Sequence, residues 1–259
     1  MNRLIASKLA QQIVPPALIL IVITGIWELT VRMLDVPPWL LPAPSAIALR
    51  FTRMQDLWFH TGHTLLEAGV GFAISAVLGI ALSAGIANSR FLERGVFPYV
   101  IITNAVPIIA IVPLLTIWLG FGMATKIVIA AIITFFPIVT NTTRGLKAAD
   151  TRILDLMHSI NATRREVFFK VQLPSALPFI FAGFKIAASL SLVGAVVGEF
   201  YGADRGLGYL VITAATQLRT DLLFVAIIVL AAIGITTFAL FGLLERYALH
   251  GEADPHRPQ

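Results

Sequence analysis

Six runs of this chain are apolar for the better part of twenty residues, at roughly 16–33, 64–86, 97–119, 125–141, 176–197 and 222–244. A hydrocarbon layer about 30 Å thick is crossed by roughly 20 helical residues. Inside it no water is available to a backbone N–H or C=O, so a helix that bonds to itself is the default spanning structure. The short alternating segments of a β-barrel are absent from the pattern. Composition agrees. Of 259 residues 58% are hydrophobic and 13% charged, where an ordinary soluble domain carries about 25% charged residues. A soluble chain this short has too little interior to hide that surface. The expected fold class is therefore all-α, a polytopic membrane protein with six transmembrane helices in a single domain over 1–259. The first run lacks a small-residue cleavage site behind it and reads as a membrane helix, not a signal peptide.

Lys and Arg set the orientation. With the N-terminus in the cytoplasm, twelve of them fall on cytoplasmic pieces and five on the outer side. The positive-inside rule then places both termini inside. In this setting a net charge of +5 is a matter of topology, and no nucleic-acid partner is expected. The chain has no cysteine, so disulfides and thiolate metal sites are excluded. The five histidines are scattered; His60 and His63 share a helix face without a completing ligand, and no metal site is expected.

Two connections are too long to be turns. On the outer side, residues 34–63 contain Leu41-Pro42-Ala43-Pro44-Ser45 and then an amphipathic stretch, about 45–59, expected to lie in the membrane interface with Ser45 as its cap. The cytoplasmic segment, about 142–175, tells more. Ile153, Leu154, Leu156, Met157 and Ile160 recur at helical spacing. Asn161 is suited to a left-handed stop. Thr163 with Glu166 three residues later has the spacing of a capping box, and Pro174 is expected to break the chain where it re-enters the membrane. A short apolar-faced helix outside the bilayer fits either a groove on a partner protein or the membrane surface.

This segment resembles the cytoplasmic loop of ABC importer permeases, E-A-A, three residues, G, nine residues, I, one residue, L-P. Asp155-Leu156-Met157 stands at the E-A-A place, Asn161 at the Gly, and Val171, Leu173 and Pro174 at I, L and P. The spacing matches throughout, while four residue types differ. Leu173–Gly183, the outer Leu41–Ser45 motif, Gly194–Phe200 and Gly206–Leu210 are similar to the permeases for nitrate, sulfonates, taurine and thiamin-precursor pyrimidines. The resemblance implies a permease subunit in the bacterial cytoplasmic (inner) membrane, paired with a second copy of itself. It further implies two ATP-binding-cassette ATPase subunits and an extracytoplasmic binding protein that delivers a small polar or anionic solute. It assigns Asp155, Leu156, Met157, Ser159, Asn161, Ala162 and Arg164 to a coupling helix that engages the ATPase. The sequence has no G-x-x-x-x-G-K-[ST] phosphate loop, so ATP and Mg belong to the partner, and no cofactor and no catalytic residue are expected in this chain.

Polar groups within the apolar runs remain open at this level. Asn104 and Thr116, and Glu199 at the outer end of the fifth run, are candidates for the solute pathway. The plainer reading is helix–helix hydrogen bonding for the first two and solvation at a helix end for the third. Glu28, Glu67 and Lys185 read as paired or snorkelling charges. The competing function is an ion-coupled secondary transporter, a class that usually shows more helices and internal inverted repeats.

Overall fold

A computed structural model describes the backbone of residues 2–249 and the side chains of 14–249. Among these residues the chain is helical and forms no strand. Five helices are long and apolar enough to span a membrane: α1 (Asn2–Met33, with its span at Val14–Met33), α3 (Leu57–Asn88), α7 (Met123–Lys147), the run ending in α10 (Leu173–Glu199), and α12 (Thr220–Ala248). A bent helix pair of comparable length and composition has two arms. The first arm joins α4 (Arg90–Gly95) and α5 (Phe97–Ala105), and the second is α6 (Ile108–Leu119). The remaining helices are α2 (Pro44–Arg53), α8 (Thr151–Ser159), α9 (Arg164–Val167) and α11 (Leu207–Thr216).

The described residues pack as two compact units. The first holds α1, α2 and Leu210–Ile228, and the second runs from Phe59 to Tyr209 and on from Val229. In the first unit, Glu28 pairs with Arg32 at 2.5 Å. Ser45 does not cap α2 as expected. Ala43 occupies the cap position without a side-chain bond, while the Ser45 N–H and Oγ–H donate to Glu28 at 2.9 and 2.8 Å. A carboxylate within reach is the stronger acceptor for both. The helix α2 also stops at Arg53, short of the expected 59, where Met54 takes an extended conformation.

Two proline expectations change in the second unit. The third apolar run is not one kinked helix: α5 and α6 meet at 99° across Val106-Pro107. Pro113, by contrast, sits inside α6 without breaking it. Pro174 does not interrupt the chain either. Phe168–Gln172 forms a π-helical turn in which the Leu173 N–H donates to Phe168 O. This widened turn relieves the clash that a proline ring makes with the carbonyl four residues before it. The helix consequently runs from Arg164 to Glu199.

The core of the second unit is the pair α7 and α10, which lie almost backbone to backbone. A Cβ on Gly194 would stand 2.6 Å from Ala130 Cα, and one on Gly145 would stand 2.7 Å from Phe179 Cβ. Small residues allow this approach, and in lipid such contact replaces the hydrophobic effect as the main source of helix association. Ser83, from α3, donates to Val139 O at 3.1 Å, and Ser75 donates to Ala131 O, so α3 joins the pair through hydroxyl-to-carbonyl bonds. Lys185 of α10 and Glu245 of α12 form a half-buried ion pair.

Gly194→Val is expected to force α7 from α10 and to cost about 1–3 kcal/mol, as overpacking does. The melting temperature of the purified protein in detergent should fall by several degrees, whereas Gly25→Ala, with open space at the Cβ, should leave it unchanged.

Candidate functional site

Three features of the structure bear on function, and the first is α8. Asp150 caps it by accepting the Arg152 N–H at 2.8 Å. It ends in a Schellman arrangement: Asn161 takes the left-handed conformation, φ 54°, its N–H bonds to His158 O, and the Ala162 N–H bonds to Met157 O at 2.9 Å. The Thr163–Glu166 capping box then forms in full, with the Thr163 N–H donating to Glu166 at 2.9 Å, and the chain enters the helical run to Glu199. The expected stop and restart both occur where the sequence placed them.

No residue of α8 is buried. Ile153, Leu156 and Ile160 are 47%, 60% and 64% exposed. Asp155, Ser159, Asn161 and Arg164 are exposed, while Met157 and Ala162 are partly covered. This is an apolar stripe held on a stiff support with no described residue of its own chain burying it. The support is stiff because α7 runs to Lys147, which pairs with Glu93 at 2.5 Å, and Arg144 lies over the Phe179 ring at 6.0 Å.

The second feature is the break between α5 and α6. Residues 101–107 are all exposed, so Asn104 stands at the bend with its side chain open. Thr116 is buried and donates to Val112 O in its own helix at 2.9 Å. It is not presented to a solute in this conformation.

The third feature is a buried polar group at the end of the α7–α10 pair remote from α8, on which the apolar runs gave little information. Glu199 is 1% exposed. It accepts the Thr64 hydroxyl at 2.6 Å and the Gly208 N–H at 2.5 Å, and Thr64 in turn accepts the Leu207 N–H at 2.8 Å. The Gly206 N–H donates to His60 Nδ1 at 3.1 Å, and His60 stacks on Tyr209. Lys126 Nζ lies 3.2 Å from Glu67 Oε1, both side chains being within the interior. Gly206 has φ +107° and faces the Glu199 carboxyl so closely that any Cβ there would collide with it. The Gly-x-Gly of residues 206–208 is therefore a cradle for that carboxyl. At the surface beside it, two hydrogen bonds from Arg205 hold the Asp204 carboxyl at about 2. The described residues contain no group of three or more His, Cys, Asp or Glu side chains able to hold a metal.

Several long apolar helices, a bent helix pair and a stiff helix that no described residue covers define a multi-pass helical membrane protein. Residues 75–248 match the family described as the binding-protein-dependent transport system inner membrane component. The chain is 35% identical to the formylaminopyrimidine transport permease protein ThiX of Halalkalibacterium halodurans over 93% of this chain and 97% of that one. It is 35% identical to the riboflavin transport system permease protein RibX of Chloroflexus aurantiacus over 88% and 86%. In fold it is similar to an inward-facing structure of the MetNI methionine ABC transporter, with a TM-score of 0.67, 19% identity, and coverage of 74% of this chain and 97% of that one. The chain belongs to the family of binding-protein-dependent inner-membrane transport components and is a permease of the ABC importer class, a transporter subunit and not an enzyme.

Lys126→Met removes the ammonium that pairs with the buried Glu67 carboxyl. Breaking a buried pair in this way costs about 3–5 kcal/mol, so the variant should melt well below the wild type or fail to accumulate in the membrane; an unchanged melting temperature would show that the pair is not buried.

Proposed function

We propose that two copies of this chain form the translocation pathway of an importer and that each copy receives one ATP-binding-cassette ATPase on α8. The single observation that carries the docking assignment is the uncovered apolar stripe Ile153–Leu156–Ile160 on a helix fixed at both ends. A helix presented in this way fits a groove on a partner, and its rigid continuation into α10 lets motion of the partner tilt the membrane helix. Asp155, Met157, Ser159, Asn161, Ala162 and Arg164 complete that surface. ATP and Mg are bound and hydrolysed on the ATPase, and both termini of the permease face the cytoplasm, as the excess of Lys and Arg on that side supports.

The solute pathway follows the break at Asn104–Pro107. The last carbonyls of α5 and the first N–H groups of α6 have no partners within their helices. Such backbone is tolerated at membrane depth only inside protein or against water. Residues 101–107 are bare in the single chain, so the bend belongs at the interface of two copies, along a wet path. Asn104 is the pathway residue supported best; Thr116 and Glu199 bond inward. The solute is small and polar or anionic, of the nitrate, sulfonate, taurine or pyrimidine class, and an extracytoplasmic binding protein delivers it. The two relatives described above, with names for formylaminopyrimidine and riboflavin transport, favour a nitrogen heterocycle.

The test is a double substitution, Asp155→Arg with Leu156→Arg, at exposed positions where folding is not engaged. The ATPase should no longer co-purify while the permease keeps its melting temperature. Full recovery of the complex would contradict the docking assignment. Separately, the permease reconstituted alone should move no solute down an ion gradient. Uptake without the ATPase would favour an ion-coupled secondary transporter instead.

A further inference from the structure

The first unit contains an apolar groove. It has a volume of about 420 Å³ and lies between α1, α2 and the start of α12, with Trp27, Ile47, Ala48, Phe51 and Val225 in its walls. That volume is within the range of about 300–1,000 Å³ found for small-ligand sites. The two hydroxyls in its lining have already placed their hydrogens: Thr24 donates to Leu20 O at 2.8 Å and Thr52 to Leu49 O at 2.9 Å. A space so poor in polar partners is a weak site for water. It adjoins the α1 span Val14–Met33, only 6% of which is buried, so hydrocarbon is the surrounding from which an occupant is drawn.

Two buried donors belong to the same region. Trp27 Nε1, on the groove wall, is buried without a hydrogen-bond partner, although a buried indole N–H normally finds an acceptor. The Phe224 ring packs on this indole at 5.3 Å. Glu28 follows Trp27 directly and bonds to Arg32 and Ser45, so Trp27 stands where the apolar span gives way to polar groups, the level at which tryptophan meets the lipid interface. Arg50 precedes Phe51 of the wall. Its Nε is also buried without a hydrogen-bond partner, with Asp221 in ion-pair range at 3.7 Å. Arg53 lies one turn further along α2 and is exposed. The helix itself carries no acidic residue, and Asp56, past its end, is exposed to solvent screening.

An occupant that suits this site is apolar along most of its length, offers an acceptor at Trp27 and carries negative charge beside α2. We propose that the groove holds one acyl chain of a membrane glycerophospholipid, with an ester carbonyl accepting the Trp27 N–H and the phosphate against Arg50 and Arg53. The indole gains the acceptor that its own chain withholds. The Arg50 guanidinium gains an oxygen for the donor that Asp221 does not reach. The lipid bridges α1, α2 and the start of α12, so the first unit is completed by a component of the bilayer. The inference rests on this unit alone and depends neither on the solute carried nor on the docking of an ATPase.

The first measurement is native mass spectrometry of the full-length permease released from detergent. The wild type should retain a phospholipid on each chain. Ala48→Phe, which fills the groove, and Trp27→Phe, which removes the donor, should lose it, while Ala46→Phe, exposed on the same helix but outside the groove, should keep it. The second measurement uses the full chain with Trp39, Trp58 and Trp118 replaced by Phe, which leaves Trp27 as the reporter. In phosphatidylcholine vesicles, brominated-chain phosphatidylglycerol should quench its fluorescence at an about fivefold lower mole fraction than brominated-chain phosphatidylcholine does, the preference expected from one arginine at the phosphate. Arg53→Gln should remove that preference. A wild type without bound lipid, or lipid retained equally by Ala48→Phe, would overturn the proposal. So would Trp27 fluorescence that brominated lipid does not reach, the result expected if a second copy of the chain covers the groove. The wild-type spectrum needs no substitution, so it decides the matter even where a variant fails to fold.

Discussion

The approach of α7 to α10 is the constraint on which the rest of the second unit depends. Ala130 meets Gly194, and Gly145 meets Ala176 and Phe179, at distances that leave no room for a Cβ. Contact of this kind is a main source of helix association in lipid, where sequestering apolar surface from water gains nothing. Each end of the pair then carries a distinct structure. At one end the two helices lead into α8 and its caps. At the other end Lys126 of α7 pairs with Glu67 of α3, and Glu199 of α10 holds the Gly206–Gly208 segment. A rigid central pair is what allows a push at one end to be felt at the other.

The connection from α7 to α10 shows how local chemistry stiffens a segment with few residues. Asp150, Asn161 and Thr163 each satisfy backbone groups that a helix end leaves bare, and Glu166 closes the box from the far side. The π-helical turn at Phe168–Gln172 absorbs Pro174, so no hinge separates the cytoplasmic segment from the membrane helix. The apolar face of α8 is thus presented on a fixed frame, and its exposure is a property of the fold and not of a loose loop.

Much of this was legible in the sequence, and the limits follow a pattern. The membrane runs, the Asn161 stop and the Thr163–Glu166 box depend on neighbours in the chain, and they appear where the spacing places them. Features decided by distant partners were not legible. Pro98 starts a helix, Pro113 sits within one, and Pro107 lies at a 99° break, although all three occur in one apolar run. Ser45 has the composition of a cap yet bonds to Glu28, across a turn from it. Lys126 stands at the start of the fourth apolar run and is buried against Glu67. Residues 207–216 form a helix too short to announce itself as a span. For Glu67 and Glu199, an acidic residue inside an apolar run was the available signal, and their partners, Lys126 for one and Thr64 and Gly208 for the other, needed the fold.

The central claim is that α8 is the face that the ATPase covers. The chain has no cysteine, so a single Leu156→Cys variant carries one reportable thiol. Its rate of maleimide labelling should be fast in the permease alone and fall at least tenfold in the assembled transporter, while a Trp118→Cys thiol keeps its rate. Equal labelling at position 156 with and without the ATPase, in a complex shown to be assembled, would contradict the account.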